Sequence, residues 1–310
     1  MIVFRFLFGV LIPYATLAVF AIGFVYRIVQ WAKSPVPFRI TTTCGQQKSM
    51  GWIRHQPLES PSNWLGVVGR MFLEVFFMRS LFRNTRTELS ADGKLTYGTS
   101  LWLWIGAMAF HWSLLVILLR HLRFFTDPMP FFLPILETLD GFFQVGAPSI
   151  YISSFAILAA LGYLLARRIV SPQIKAISLP GDYFALGLLL AIVLTGMAMR
   201  YTPIRADIAG VKELGYGLAT FQPVAPKHLG LAFYLHLLLV CALLAYFPFS
   251  KLMHMGGVFL SPTRNMPNNS RAVRHINPWN PEVKAHTYAE WEDEFRDKIK
   301  GAGLPLEKDA

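Results

Sequence analysis

Four histidines sit within or at the ends of long apolar runs: His111 and His121 in one, His236 and His254 in another. An ionisable side chain in a membrane segment is costly and is usually kept for a function, and imidazole is a good ligand for iron. His236 and His254 are 18 residues apart. At about 3.6 residues per turn that is about five whole turns, so both are predicted to project from one face of a continuous helix. His111 and His121 are 10 apart, which leaves them about 80° from alignment and about 15 Å apart along the axis. Such wide spacings exclude one compact zinc or di-iron site, whose ligands converge within about 2 Å of the metal. They suit two separate irons, each clamped by one histidine from each helix: His111 with His254, and His121 with His236. This is the residue type and placement of axial ligands for two stacked haems. The sequence has no C-x-x-C-H run, so any haem is held non-covalently, as a b type.

The elements that must carry these side chains follow from composition. Of 310 residues, 54% are hydrophobic and 15% charged, and the mean hydropathy is +0.43, a balance foreign to soluble domains. Five stretches are long and apolar enough to span a bilayer, which takes about 20 residues: 6–30, 100–122, 143–167, 180–200 and 228–252. The expected fold is an all-α integral membrane protein, a bundle of five transmembrane helices. The first run, Phe6 to Val29, is too long for a secretory signal and is followed by no small-residue cleavage site, so it is read as a retained helix. The histidine-bearing helices are the second and fifth and run antiparallel. Their ligand spacings differ, about 15 Å against about 27 Å, so helix tilt and a kink at Pro248 are expected to absorb the difference. The first, third and fourth spans hold no histidine. His55, His228, His275 and His286 fall in loops, at a helix mouth or in the tail and are read as solvated or partner-facing.

Lys and Arg concentrate in residues 32–99, at Arg167, Arg168 and Lys175, and in the tail after Lys251. The positive-inside rule then places the N-terminus outside and the C-terminus in the cytoplasm, in the inner membrane of a cell. Four regions result: a first transmembrane helix (1–31), a cytoplasmic loop (32–99), a four-helix dihaem core (100–258) and a cytoplasmic tail (259–310). The net charge of +11 is topology signal and partner surface, and it carries no aromatic-interleaved motif for nucleic acid. Within the loop, residues 64–89 read as a basic amphipathic helix lying in the lipid headgroup plane or docking a partner subunit. Arg70 and Arg120 are candidates to pair with haem propionates. Cys44, in a TTTCG turn, reads as a reduced surface thiol, and Cys241 sits too differently for a disulfide with it. Gly187, Thr195 and Gly196 read as small residues for close helix packing, and Asp182 as the lone acidic group of the fourth span, near its inner start. The tail is expected to be mostly irregular, with a short helix in EWEDEFRDKIK at 290–300.

Five spans with His-x9-His on the second and His-x17-His on the fifth resemble the membrane cytochrome b subunits of the nitrate reductase gamma-subunit superfamily over residues 100–255. Three further segments are similar to the DsrM family of DsrMKJOP complexes, associated with dissimilatory sulfite reduction and sulfur oxidation: TTTCGQQKSMGWIRH (41–55), GRMFLEVFFMRSLFRNTRTEL (69–89) and SPTRNMPNNSRAVRHINPWNP (261–281). The resemblance implies two b haems on the four histidines. It also implies electron exchange between a quinone, menaquinone or similar, and a cytoplasmic iron–sulfur subunit, DsrK, itself similar to heterodisulfide reductase, within a larger membrane complex. It places the quinone near the outer haem, where the matching loop holds Arg123, Asp127 and Glu137 but no lysine between His121 and Asp140. The competing class is a proton channel or transporter relaying protons through its histidines. Neither internal repeats nor broken midplane helices, the marks of transporters, are visible, and an anchor without redox function leaves the histidine spacing unexplained.

Overall fold

The computed structural model describes residues 2–34, 48, 52, 54–89, 92–143, 149–261, 264–269 and 285–307. Cys44, most of the 41–55 run, and Arg271, Arg274 and His275 lie outside the described residues. The first helix, α1 (Ile2–Ala32), widens into a π-turn at Leu7–Leu11 just ahead of Pro13. Proline has no N–H to give to the preceding turn, and a wider turn tolerates that loss. Then come α2 (Trp64–Phe77), whose Asn63 cap accepts the Gly66 N–H at 2.8 Å, and the short α3 (Arg79–Phe82). An antiparallel hairpin, β1 (Thr85–Leu89) and β2 (Leu95–Thr99), sets Thr85 opposite Thr99. It leads into α4 (Leu101–His121), prolonged as a 3-10 turn to Phe124. α5 (Leu133–Asp140) is followed by β3 (Gly141–Phe143) and β4 (Ile150–Tyr151), paired antiparallel. The remaining helices are α6 (Ile152–Val170), α7 (Pro172–Ile177), α8 (Pro180–Tyr201), α9 (Ile208–Ala219), α10 (Leu231–Tyr246), α11 (His254–Leu260) and α12 (Tyr288–Gly301).

Five of these are long and apolar enough to cross a membrane: Ile2–Ala32, Leu101–Phe124, Ile152–Val170, Pro180–Tyr201 and Leu231–Phe249. The protein is therefore a mostly helical membrane bundle. α4 packs on α6, α6 on α8, α8 on α10 and α10 on α1. At the centre, Ile157, Leu161 and Leu189 are buried against Phe110, Leu114 and Leu243. Gly106 lets α4 approach α6 closely, since a Cβ there would stand 2.7 Å from the Tyr163 ring. Large apolar side chains such as Ile22, Leu118 and Leu194 face outward, as they must where the surrounding solvent is lipid.

Three expectations change in detail. Residues 64–89 are not one helix: α2 ends at Met78, which takes a left-handed conformation (φ 48°), and the β1–β2 hairpin follows. The third span begins at Ile152 rather than 143, because the start of α6 is capped from outside by Asp140. Its carboxylate accepts the Ser153 N–H at 2.8 Å and the Ser153 hydroxyl at 2.7 Å. Most importantly, His236 and His254 do not share one continuous helix. α10 stops at Tyr246, Phe247–Phe249 is a 3-10 turn, and Ser250 is extended (φ −120°, ψ 175°). Lys251–Met253 is a second 3-10 turn, and His254 opens α11. Pro248 breaks the ladder, and its own carbonyl accepts from Arg27 Nε at 3.1 Å. Gly23 on α1 makes room, as a Cβ there would meet the Pro248 ring at 2.7 Å. Asp182 ties down the far side of the break by pairing with Lys251 at 2.8 Å. The tail segment read as helical is observed within α12, capped by Thr287 and Glu290.

Candidate functional site

The broken fifth span turns His254 toward α4. The His111 and His254 rings face each other with centroids 6.0 Å apart and planes at 81°. Two imidazoles bound to one metal at about 2 Å each, their centroids about 1.2 Å behind the ligating nitrogens, stand about 6.4 Å apart. The observed spacing fits that requirement. At the other end of α4, His121 and His236 lie close enough to interact electrostatically. The structure thus brings His111 and His254 into ring contact at one level of the bundle, and sets His121 and His236 in the same neighbourhood at the other.

In all four, the ring nitrogen Nδ1 is engaged. His111 Nδ1 lies 2.8 Å from the Ala107 carbonyl, His121 Nδ1 2.7 Å from that of Ile117, and His254 Nδ1 2.8 Å from that of Lys251. These acceptors fix Nδ1 as the protonated nitrogen, which leaves the Nε2 lone pair free to bind a metal. His236 follows the same logic through a side chain, with Nδ1 2.9 Å from Thr195 Oγ1. The Thr195 hydroxyl hydrogen has its own acceptor, the Ala191 carbonyl at 2.8 Å, so the oxygen receives the His236 N–H. Beside it Gly196 leaves space for the ring, a Cβ there standing 3.3 Å from His236 Cε1. Thr195 and Gly196, expected only to ease packing, shape the surroundings of His236. Gly187 meets nothing within 4 Å of a built Cβ. No group of three or more His, Cys, Asp or Glu side chains is arranged to hold a metal ion among the described residues. A haem iron asks the protein for only two ligands, and each pair offers two.

Charged groups surround the His121 level. Arg120, buried, pairs with buried Asp140 at 2.7 Å. Its guanidinium also lies 3.6 Å from the centroid of the Tyr151 ring, and Arg200 approaches the same ring at 4.1 Å. Tyr151 is thus in contact with two cations, each attracted to the electron-rich face. Arg123 pairs with Glu137 and donates from Nε to the Arg120 carbonyl at 2.9 Å. Asp127 pairs with Lys212 on α9 at 3.2 Å. The three guanidiniums outnumber the two carboxylates Asp140 and Glu137, and Arg200 Nε is buried without a hydrogen-bond partner among the described residues.

Arg70 sits elsewhere, on α2, donating to the Glu59 carbonyl at 2.7 Å and the Arg264 carbonyl at 3.3 Å. Burial lowers its pKa from the usual arginine value, and these contacts join α2 to the segment after α11. Glu59 also receives Arg79 and Arg83, Arg264 pairs with Glu74 at 3.4 Å, and Asn268 donates to Ser60 at 2.6 Å. The segments around 54–83 and 264–268 therefore form one polar assembly.

Comparison with known proteins gives a consistent result. Residues 66–273 match the nitrate reductase gamma subunit family. Two relatives carry the description Hdr-like menaquinol oxidoreductase cytochrome b-like subunit. The one from Archaeoglobus fulgidus is 49% identical over 282 residues, covering 89% of this chain and 84% of the relative. The one from Archaeoglobus profundus is 44% identical over 277 residues, covering 87% and 82%.

Proposed function

Because the chain belongs to the nitrate reductase gamma subunit family, we propose that it is a membrane dihaem cytochrome b. It passes electrons between menaquinone, or a similar quinone, and an iron–sulfur partner subunit resembling DsrK, as the DsrM subunit of a complex in dissimilatory sulfur metabolism. The observation that carries this reading is the placement of the four histidines, with the His111 and His254 rings 6.0 Å apart and every Nδ1 hydrogen-bonded. His111 with His254 would hold one b-type haem, and His121 with His236 the other. Bis-imidazole haem supplies one-electron chemistry at a potential set by its ligands and their hydrogen bonds. The protein's share is to fix the imidazoles, exclude water and balance charge.

The His254 level is assigned to the cytoplasmic side, with the C-terminus, and the His121 level to the outer side with the quinone, near Arg123 and Asp127. Arg120, Arg123 and Arg200 together supply the positive charge that carboxylates such as haem propionates require, while Arg70 is committed to the loop assembly. Relatives described as menaquinol oxidoreductase subunits support the quinone assignment. The test is a reduced-minus-oxidised spectrum of the purified chain with haem quantified per polypeptide. Two b haems are expected. A preparation that binds none, though folded and membrane-inserted, sinks the reading.

Thr195 supplies a sharper test of one site. Valine keeps its shape but removes the acceptor for His236 Nδ1, and loss of such an outer partner typically costs about 10–100-fold in metal affinity. Thr195→Val is expected to weaken one haem by that order and shift one of two midpoint potentials. Serine in its place should restore both. A redox titration in which both components move together, or neither does, speaks against the role.

A further inference from the structure

The surface of α2 is inverted relative to a helix that faces water. Its outward arc consists of Trp64, Leu65, Val68, Phe72, Val75 and Phe76, all exposed. Its two charged side chains point the other way, Arg70 to the Glu59 and Arg264 carbonyls and Glu74 to Arg264. An exposed apolar arc without a charge marks contact with lipid or with another protein.

The end of the helix decides between them. Carbonyls in the last turn of a helix lack intrahelical partners, and in contact with hydrocarbon each must be satisfied by protein. Here two indoles from the second span do so. Trp104 Nε1 donates to the Phe77 carbonyl at 2.8 Å, and Trp112 Nε1 to the Phe76 carbonyl at 3.1 Å. The Phe76 and Trp112 rings stand 6.3 Å apart, and Phe72 lies 5.0 Å from Phe76. Trp112 is 11 residues into α4, about 16 Å along a span whose surrounding hydrocarbon is about 30 Å thick. Its long side chain leans back toward the helix start, so α2 meets the span below its rim. The apolar arc of α2 therefore continues the lipid-facing surface formed on α4 by Trp102, Ile105 and Leu115.

We propose that α2 is an interfacial membrane helix, its arc inserted among phospholipid acyl chains at the His254 end of the bundle and its depth set by the two indole caps. The full chain, with whatever subunits accompany it, is placed in nanodiscs of phosphatidylcholine and phosphatidylglycerol. Spin labels are introduced singly at Leu65, Val68 and Phe72, with Leu118 as the lipid-facing control and Lys94, in the hairpin turn, as the aqueous one. The three α2 sites are expected to collide with oxygen more than with a nickel chelate, as Leu118 does, and Lys94 to show the reverse. Nickel access like that of Lys94 places the arc in water, and protection from both reagents places it under a partner protein; either overturns the proposal. Trp112→Phe, which keeps the ring and loses the donor, should increase label mobility at Phe72. A measurement needing no variant is carbene labelling of the unaltered chain from a diazirine-bearing acyl chain. It should mark peptides within 64–77, and their absence from the labelled set, with α4 peptides present, also overturns it.

Discussion

Alanine at His121 is expected to leave a chain that binds one haem where the unaltered chain binds two, with the remaining haem spectrally unchanged. The expectation rests on the pairing. His111 and His254 face each other at 6.0 Å without help from His121, and each level has its own Nδ1 acceptors. His236→Ala should give the same product as His121→Ala, whereas His111→Ala and His254→Ala should each remove the other haem. Four variants thus sort into two spectral classes, and a membrane-inserted double variant within a class should be no worse than its singles. The readout is haem per polypeptide and the absorption band that persists. Retention of both haems in His121→Ala refutes the pairing, and loss of both from that single change means that the four residues serve one site.

The sequence drew attention to the four histidines because their signal is local and costly: a histidine in an apolar run has few reasons to exist. Composition displayed the five spans for the same reason, since hydrocarbon admits few alternatives to helices. Periodicity alone misplaced the geometry of the fifth span. Counting five turns from His236 to His254 assumed an unbroken helix, whereas Pro248 with extended Ser250 ends one helix and begins another. The proline was visible, but the groups that make a full break tolerable, Arg27 and Gly23 on α1 and Asp182 on α8, are distant in sequence.

The residues around the histidines were hidden by the same distance. Thr195 lies 41 positions from His236, and a threonine in a membrane helix reads as a packing residue unless its partner is known. Asp140 carries no local signal of its role, yet it pairs with Arg120 and caps α6. Tyr151 and Arg200 gave no signal, because contact between an aromatic ring and two guanidiniums has no sequence spacing. On α2 the pattern of apolar residues was legible, but the expectation of one helix over 64–89, which takes in Arg79 and Arg83, was not correct. Both lie beyond the left-handed Met78 and converge on Glu59.

The Asp140–Arg120 pair is where the largest loss of stability is expected. Both side chains are under 10% exposed, at 7% and 8%, so water screens little of their interaction. Removing one partner of a buried pair leaves the other charge uncompensated, at a cost of about 3–5 kcal/mol. Asp140→Ala in addition strips the Ser153 N–H and hydroxyl of their acceptor at the start of α6, so its effect should lie at the upper end of that range. Arg120→Met alone strands the carboxylate, but Ser153 still donates to it, which puts this variant lower. The double change Asp140→Leu with Arg120→Met removes both charges together, and replacing a buried ion pair by apolar residues is often close to neutral. Its destabilisation should therefore fall well below the sum of the singles. Reversible unfolding of the purified protein in mixed micelles measures this cycle, with haem content followed in parallel. Because Arg120 immediately precedes His121, the haem assigned to His121 and His236 should be released before the other as Asp140→Ala unfolds. Additive single effects would mean that the two side chains stabilise the protein independently and that the ion pair does not organise this end of the bundle.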